Sequence, residues 1–522
     1  MKKFISILLT LVMIFSFTSI AFAKDNSVTP VIVVRGMGEY IYVENEDGSR
    51  KQVFAPDTQE IVEAVAQFVP ALITSVAVDD YSALGSSATK VADMFLPLAC
   101  NDDGTPINNL TVDYTPENLS HYSDKIGPEW EIAYSMADAV GAENTYFFTY
   151  VWTRSPLELA KDLNAYINNV KAETGSDKVT LVACSMGGTI TMSYLEMFGT
   201  DSIENVVLAS TAFLGTDIVG KLFSKDVDIS LGDVLDYFGA FFGHDVIQNI
   251  FQIVKLYLEE AHVTDEADVF FDNLRDNILD AVYSDIFMDT FVTMPGIWCL
   301  IPEKYYNDCK KALYPDGNVP TFIKTDVDYY MNNVQSHAAD IIYDAEAKGV
   351  NFYITASYRC PGIPVYNDNE KYSDNLIDLE YAAGYPAVAE YGKKVEAVDG
   401  SLKVCKNDAH NHVSPDGAAD ASTCILPEQT WIIRNIGHMR YAYGKDTCAL
   451  LVWLATSDEK VSVHTNEKYP QFVDVNEVTG NFDPVTESIV TTENSLYDII
   501  VMLVRNIIKY VVNYIKNLNA AV

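Results

Sequence analysis

Positive charge is scarce in this sequence of 522 residues. Lysine and arginine number 35 against 73 aspartates and glutamates, so the formal net charge at pH 7 is −38. A chain this acidic is repelled by phosphate backbones, and DNA or RNA is therefore not an expected partner. Glycine and proline number only 27 and 19, while 49% of the residues are hydrophobic. This composition excludes collagen-like and wholly disordered chains and predicts a large buried core.

Cysteine is scarce as well, with eight residues in the whole chain. So few cysteines in this length exclude a small fold held together by disulfides, and their pairing does not follow from the sequence. Cys184 ends an apolar run that is typical of a strand, so we expect a buried thiol there.

The first 23 residues have the pattern of a cleaved secretory signal. Lys2 and Lys3 precede an apolar run over 4–22, and Ala21-Phe22-Ala23 supplies the small residues that a signal peptidase accepts. A retained membrane anchor is the alternative, although the apolar stretch is short for a span. We therefore expect a protein that is secreted or associated with the cell surface.

Short apolar runs alternate with helical patterns along much of the chain. Strands are predicted at 30–34, 145–150, 178–183, 205–210, 351–358 and 430–434. One helix between them should begin at Ser155 and Pro156, a capping serine followed by proline at the first helical position, and end at Gly175. The alternation predicts an α/β fold with a mostly parallel central sheet and helices on both faces.

Two long insertions interrupt this alternation and set the predicted domain boundaries. Residues 24–212 and 346–458 are assigned to the α/β core, which includes an insertion over 40–140 that is predicted to be helical. Residues 213–345 are helical in pattern and rich in aromatic and aliphatic side chains. A connection this long needs its own structure, so we expect a helical cap or lid.

The pattern changes again beyond residue 458. Residues 459–493 are predicted to be a polar linker, and residues 494–522 an amphipathic C-terminal helix. The apolar surface over 496–518 fits docking on the body of the protein, contact with a membrane surface or contact with a partner. These alternatives stay open at this point.

The strongest chemical signal is the segment Ala183-Cys184-Ser185-Met186-Gly187 between a predicted strand and a predicted helix. It fits the pattern of a nucleophile elbow, in which a sharp turn lifts a serine hydroxyl above the sheet. Small residues, here Ala183 and Gly187, are needed at both ends because the turn packs closely against its neighbours. An ordinary strand-to-helix turn, with the serine as a cap, is the alternative.

A serine nucleophile needs a base and an acid that orients the base, and an elbow of this kind has both later in the chain. Among the eight histidines, only His438 follows a late predicted strand, so it is the expected base. Asp416 is the first choice for the acid because it lies between the last two predicted strands. Asp420, Asp368 and Asp374 are the alternatives.

Two backbone amides are expected to form an oxyanion hole. Met186 follows the nucleophile, and Met37 lies in the turn after the first predicted strand. Gly36 and Gly38 on either side of Met37 would let this turn approach the nucleophile closely.

A second cluster of polar residues lies just before Asp416. Asp408, His410 and His412 form a D-x-H-x-H string whose side chains suit Zn²⁺ or Ca²⁺. No second pair of ligands at a recognisable spacing accompanies the string. We therefore interpret it as a polar surface loop and expect neither a metal nor another cofactor.

Taken together, these segments resemble the α/β-hydrolase superfamily in its lipase and lecithin–cholesterol acyltransferase-like branch. The resemblance is carried by residues 31–38, 148–156, 181–189, 294–302, 414–423 and 435–439. Two positions depart from that branch. Arg35 stands where such lipases commonly have histidine, and Ala419 stands where an Asp-Gly-x-Val pattern has valine.

The resemblance implies a serine hydrolase that cleaves carboxylic esters of apolar acyl groups, with a lipid or similar ester as its substrate. Ser185 would attack the ester carbonyl, His438 would take the serine proton, and Asp416 would hold the imidazole. The amides of Met37 and Met186 would stabilise the oxyanion, and the apolar cap would accept the acyl chain. Acyl transfer by the same chemistry is one alternative, and a non-catalytic surface-associated binding protein is another.

Overall fold

The computed structural model describes residues 28–38, 40–55, 93–122, 130–228, 287–361, 371–407, 409–440, 444–476 and 479–486, with isolated positions between them. The expected signal at 1–23 and the expected C-terminal helix at 494–522 lie outside these residues. Among the helices that are described, none is both long and apolar enough to cross a membrane.

The elements of the described residues are numbered in chain order. The strands are β1 (Val31–Val34), β2 (Ile41–Glu44), β3 (Arg50–Phe54), β4 (Leu110–Thr111), β5 (Thr145–Phe148), β6 (Val179–Cys184), β7 (Ile203–Ala209), β8 (Asn351–Tyr358), β9 (Cys360–Pro361), β10 (Tyr372–Ser373), β11 (Ala387–Val388), β12 (Ala419–Asp420), β13 (Thr430–Arg434), β14 (Phe472–Val475) and β15 (Phe482–Pro484).

The α-helices are α1 (Glu131–Val140), α2 (Pro156–Thr174), α3 (Gly187–Phe198), α4 (Asp217–Ser224), α5 (Pro295–Trp298), α6 (Glu303–Leu313), α7 (Ala338–Ala347), α8 (Leu379–Ala382) and α9 (Lys445–Thr456). Short 3-10 helices occur at Leu96–Leu98, Leu119–His121, Ala142–Asn144, Phe291–Thr293, Ala421–Thr423, Pro427–Gln429 and His438–Arg440. Two π-helical turns occupy Ile323–Val327 and Tyr330–Gln335.

Eight strands form one central sheet in the order β15-β14-β13-β8-β7-β6-β1-β5. Each neighbouring pair in it is parallel except β14 and β15. The interior strands are continuous apolar runs because a parallel sheet covered on both faces buries every side chain. The predicted mostly parallel α/β sheet is confirmed.

Helices cover both faces of this sheet. Ile32 and Val34 of β1 lie in one core with side chains of α2 and α3. Val31 and Val33 lie in a second core with side chains of α1 and α9. Successive residues of one strand point to opposite faces, so the same short strand contributes to both cores.

Helix α2 begins and ends where the sequence predicts. The hydroxyl oxygen of Ser155 accepts a hydrogen bond from the amide of Leu157 at 3.3 Å, which satisfies a donor that the first helical turn leaves open. Gly175 adopts a φ of 72° immediately after the last helical residue, a conformation that glycine reaches without steric cost.

The described part of the insertion at 40–140 contains strands as well as helices, so it is not the wholly helical insertion that was predicted. β3, β2 and β4 form a small antiparallel sheet. Its first hairpin turns at Asp47 and Gly48, a pair typical of tight hairpins, and Gly48 has a φ of 79°. Helix α1 follows and packs on the central sheet. Residues 57–75, which belong to the insertion predicted to be helical, lie outside the described residues.

The described residues of the segment 459–493 do not form a polar linker either. Its strands β14 and β15 extend the central sheet beyond β13, with Val473 paired to Ile433. Val473 and Val475 are buried while the residues between and before them are half-buried. Burial of every second residue is the pattern of a strand that is covered on one face. A prediction based on the overall polarity of the segment misses this pattern.

The described part of residues 213–345 is helical. It contains α4, α5, α6 and the beginning of α7, together with both π-helical turns. Every residue of α5 is buried, and Trp298 at its end packs edge-on against Phe223 of α4 at 5.3 Å between ring centres. The cap segment thereby has an aromatic interior of its own.

Candidate active site

Ser185 lies at the sharp turn between β6 and α3. Its φ is 51°, which is rare for a residue with a side chain and is sustained only where the surroundings enforce it. The turn packs tightly, since a Cβ on Gly187 would lie 2.5 Å from the carbonyl oxygen of Val34. Ala183 before the turn is fully buried. This is the conformation of a nucleophile elbow, with the hydroxyl at the carboxyl edge of the sheet.

His438 reaches this hydroxyl from the loop after β13. Its Nε2 lies 2.9 Å from Oγ of Ser185. The two side chains meet although 253 residues separate them, because the carboxyl ends of parallel strands share one edge of the sheet. His438 is 4% exposed, so the ring is fixed by its surroundings.

The carboxylate that contacts His438 belongs to Asp374. Its Oδ2 lies 2.8 Å from Nδ1 of the imidazole. Its Oδ1 accepts hydrogen bonds from the amides of Leu376 and Ile377 at 3.1 and 2.7 Å. The amide of His438 also donates to the carbonyl oxygen of Asp374 at 2.6 Å. Asp374 is fully buried, and these contacts leave Nδ1 as the protonated nitrogen that donates to it.

Asp416, the acid expected from the sequence, belongs to another buried network, so that assignment is wrong. Its Oδ2 accepts from the hydroxyl of Tyr358 at 2.6 Å and from Arg434 at 3.4 Å. Its Oδ1 accepts from the Ser414 hydroxyl at 2.8 Å and the Ala418 amide at 3.1 Å. Both oxygens are thus occupied by β8, β13 and the aspartate's own loop.

The remaining alternatives for the acid are also resolved where the structure describes them. The side chain of Asp420 accepts from the amide of Ser422 at 2.9 Å and caps a 3-10 helix. Asp368 lies outside the described residues. Asp374 lies closer to β8 along the chain than Asp416 does, and this proximity to the strand beside the histidine strand is the signal that kept it among the alternatives.

The turn after β1 passes directly beside Ser185. A Cβ on Gly36 would lie 2.6 Å from Cβ of Ser185 and 3.2 Å from its Oγ. Met37 is the next residue of this turn, and Met186 stands at the N-terminal end of α3. The turn after β1 and the N-terminal end of α3 therefore both lie next to Ser185, and their backbone amides are the candidates for an oxyanion site.

Arg35 holds this turn. Its guanidinium donates to the carbonyl oxygen of Gly38 at 3.1 Å and stacks over the ring of Trp130 at 4.5 Å. The carbonyl oxygen of Arg35 accepts from the hydroxyl of Tyr150 at 2.6 Å. Burial raises the pKa of Tyr150, so this hydroxyl stays protonated and remains a donor.

Asp378 connects the acid turn to the first cap helix, a role that the sequence did not indicate. Its Oδ2 accepts from the amide of Asp217 at 2.8 Å and from the hydroxyl of Thr216 at 3.3 Å. Burial, together with the negative charge of Asp217, raises the pKa of Asp378 to about 7. A carboxyl that is partly protonated near neutral pH thus lies four residues beyond Asp374.

The comparison with protein families agrees with this fold. A family model described as the alpha/beta hydrolase fold matches residues 143–286. No curated protein gave a match. Solved structures that match include "The crystal structure of Tle4-Tli4 complex", at 14% identity and a TM-score of 0.20, over 38% of this chain and 48% of that chain. The chain thus spans about half the length of that structure.

The family match and the eight-stranded, mostly parallel sheet with surrounding helices define an α/β-hydrolase domain. Proteins with this domain are commonly hydrolases, which suggests the general class of reaction. Because one fold supports many chemistries, the substrate has to be argued from the site itself.

Proposed function

We propose that this protein is a serine hydrolase that cleaves carboxylic esters of apolar acyl groups. The observation that carries the proposal is the continuous chain of contacts from Ser185 to His438 to Asp374, at 2.9 and 2.8 Å. Nucleophile, base and orienting acid are all within hydrogen-bonding distance, which is the geometry that activates a serine.

The positions of the protons in this triad fit acyl transfer to the serine. Because Nδ1 of His438 donates to Asp374, Nε2 carries the lone pair that faces the Ser185 hydroxyl. As Oγ attacks the ester carbonyl carbon, its proton passes to Nε2, and the buried carboxylate stabilises the imidazolium. The same nitrogen then protonates the departing alkoxide. Water releases the acid in a second step, with His438 again as base.

Developing negative charge on the carbonyl oxygen would be stabilised by backbone amides. The amide of Met186 lies at the N-terminus of α3, and the amide of Met37 lies in the turn that passes beside the nucleophile. Amides fixed in this way act without reorganising during the reaction, and a single such donor is typically worth about 10²–10³ in kcat. These roles rest on backbone position, so the methionine side chains do not determine them.

Apolar surroundings favour an acyl chain as the group that is bound. A Cβ on Gly296 of α5 would lie 2.8 Å from Cε of Met186 and would also overlap the carbonyl oxygen of Trp152. Phe54 packs edge-on against Trp152 at 5.0 Å between ring centres. The buried cap helix α5 therefore packs against the Met186 side chain beside the nucleophile, and such apolar surroundings favour apolar ester groups.

The same proposal has two further parts. One is the likeness to lipases and lecithin–cholesterol acyltransferase-like enzymes, and the other is export through residues 1–23. They rest on the sequence segments and the signal pattern. Acyl transfer to an alcohol shares every step up to release of the first product. Analysis of products formed with and without a long-chain alcohol distinguishes transfer from hydrolysis.

The test is a panel of p-nitrophenyl esters of graded acyl length, together with labelling by a fluorophosphonate probe. Wild type should hydrolyse the esters and label at Ser185, and Ser185→Ala should lose both properties with its fold retained. Ser336→Ala, a change at a serine in the cap, is the matched control and should behave as wild type. Equal hydrolysis by Ser185→Ala would exclude the triad. An unlabelled wild type would favour the non-catalytic binding protein.

A further inference from the structure

Three histidines, a cysteine and a glutamate converge outside the active site. Cys405, His410 and His412 lie on the connection between β11 and β12, Glu428 lies two residues before the start of β13, and His464 follows α9. Potential ligand atoms of the cysteine, His410 and His412 all lie within 4.8 Å of one another. The same holds for His410, Glu428 and His464, so the two triplets share one imidazole.

The spacing within this cluster matches a tetrahedral zinc site. Sγ of Cys405 lies 3.7 Å from Nδ1 of His410 and 3.9 Å from Oε1 of Glu428, and that Nδ1 lies 3.0 Å from that Oε1. Zinc bonds of about 2.3 Å to sulfur and about 2.0 Å to nitrogen or oxygen place tetrahedral ligands about 3.3–3.5 Å apart. Three candidate ligands are therefore close to the separations that an ion would impose.

His412 supplies an independent sign of a ligand. It is 3% exposed. Nε2 of Gln471 donates to the carbonyl oxygens of Pro427 and Thr430 at 2.7 and 3.0 Å, so Oε1 of the same amide faces Nδ1 of His412 at 2.7 Å. Nδ1 must therefore carry the proton, which leaves a lone pair on Nε2.

That Nε2 is buried and has no hydrogen-bond partner among the described residues. Buried polar atoms are normally satisfied, and an unsatisfied one needs an explanation. A histidine whose second nitrogen is fixed by a neighbouring acceptor is the usual form of a metal-ligating imidazole. The lone pair, the burial and the fixed tautomer together prepare His412 to bind an ion.

We propose that this cluster binds one Zn²⁺ through Cys405, His410 and His412, with the fourth ligand supplied by Glu428 or His464. A thiolate together with imidazoles selects zinc over Ca²⁺ or Mg²⁺, which prefer oxygen ligands. On binding, the thiol proton is released to solvent, and the proton that Nδ1 of His410 shares with Glu428 moves to Nε2 of the same ring. The exposed amide of Asn407, 2.8 Å from that Nε2, then turns its oxygen to accept from it in place of its hydrogen bond from the amide of Ala409.

The sequence string at 408–412 showed only part of this set. Asp408, which it included, lies outside the described residues. Glu428 and His464 come from distant segments, and the cysteine was not grouped with the histidines. No ligand spacing along the chain reveals such a site, because the fold brings its members together.

The proposed ion is structural. Glu428 precedes the five residues of β13 and His438 follows them, so the two sites flank opposite ends of one strand. At about 3.3 Å per residue the strand alone separates them by roughly 16 Å. An ion at the amino end would tie the connection between β11 and β12 to the sheet and to the loop of His464. It would not contact the ester.

The test uses the full chain, stripped of metal by a chelator and titrated with Zn²⁺ against a chromophoric competitor. Wild type should bind one zinc per chain and unfold at a higher temperature when loaded. Cys405→Ser and His412→Ala should each lower zinc affinity at least 100-fold. Gln471→Ala, which frees the His412 tautomer and also removes two hydrogen bonds to backbone carbonyls, should lower it by about 10–100-fold. His121→Ala, an exposed histidine elsewhere, should leave affinity unchanged.

Substitution with Co²⁺ keeps the proposal testable if a variant fails to fold. Wild type should then show a thiolate-to-cobalt absorption band, and Cys405→Ser should lack it. Substoichiometric zinc in wild type, wild-type affinity in both ligand variants, or no thiolate band would each overturn the site. Ester hydrolysis by the metal-free protein is measured in parallel, so a failure of the zinc site is distinguished from a failure of the proposed hydrolase.

Discussion

The assignment of Asp374 as the acid can be tested by Asp374→Asn. In this variant the oxygen of the new amide would keep the hydrogen bonds from the amides of Leu376 and Ile377. Its NH₂ group would then face Nδ1 of His438, which must become an acceptor. The imidazole proton would move to Nε2, and the base would no longer be able to take the proton of Ser185.

The expected loss is large because the wrong tautomer removes general-base catalysis altogether. In a serine protease the corresponding change lowers kcat by about 10⁴-fold, equivalent to about 5.5 kcal/mol in the barrier. We expect a loss of about 10³–10⁴-fold in kcat for a p-nitrophenyl ester at neutral pH, with KM changed little. Steady-state kinetics measure both quantities, and circular dichroism shows whether the fold is retained.

Asp416→Asn is the matched comparison, since it makes the same change in a buried aspartate. It weakens the hydrogen bonds from Tyr358 and Arg434 and should lower the free energy of unfolding by about 1–3 kcal/mol. Its kcat should stay within a few-fold of wild type. A 10³-fold loss in Asp416→Asn together with near-normal turnover in Asp374→Asn would refute the reasoning.

Three further predictions concern the surroundings of the triad. Gly36→Ala would place a methyl group 2.6 Å from Cβ of Ser185. Because this displaces the nucleophile, the variant should lower kcat/KM by about 10²-fold. Wild-type kinetics in the variant would contradict the close approach. Arg35→Ala should lower kcat more than KM because the turn that carries Met37 loses its tie to Gly38, and equal effects on both would argue against a positioning role. Burial raises the pKa of Asp378 to about 7. Between about pH 4 and pH 7 the folded state therefore keeps this proton, while the unfolded chain releases it. The free energy of unfolding should fall as pH rises through this window, by up to about 4 kcal/mol. Asp378→Asn should therefore flatten the decline in urea-unfolding free energy between pH 5 and pH 7.5, and an unchanged slope would exclude this contribution.

The sheet was predictable because its signals are local. Strand β8 at 351–358 and strand β13 at 430–434 occur within the predicted bounds, since continuous apolar runs bounded by polar residues are typical of buried parallel strands. The strands β14 and β15 escaped prediction because they are short and half-polar. The hairpin of β2 and β3 escaped because its Asp47-Gly48 turn was overlooked within a segment read as helical.

The candidate site was predictable where one residue follows directly from a strand. Ser185 and His438 each lie just beyond an apolar run, at the edge where strand ends meet. The acid was harder, because Asp374 sits after the short strand β10 in a long connection that offers several aspartates. Only the fold decides among them: one carboxylate turns toward the imidazole, and Asp416 turns toward Tyr358 and Arg434.

Asp374 and His438 are joined twice, once through the carboxylate and the ring, and once through backbone carbonyl and amide. The second link fixes the two main chains to each other independently of the side chains. Any displacement of one loop by an incoming ester therefore carries the other loop with it. Asp374 and His438 therefore move together as one unit. The contact that substrate binding can shorten or lengthen is the one between the imidazole of His438 and the hydroxyl of Ser185.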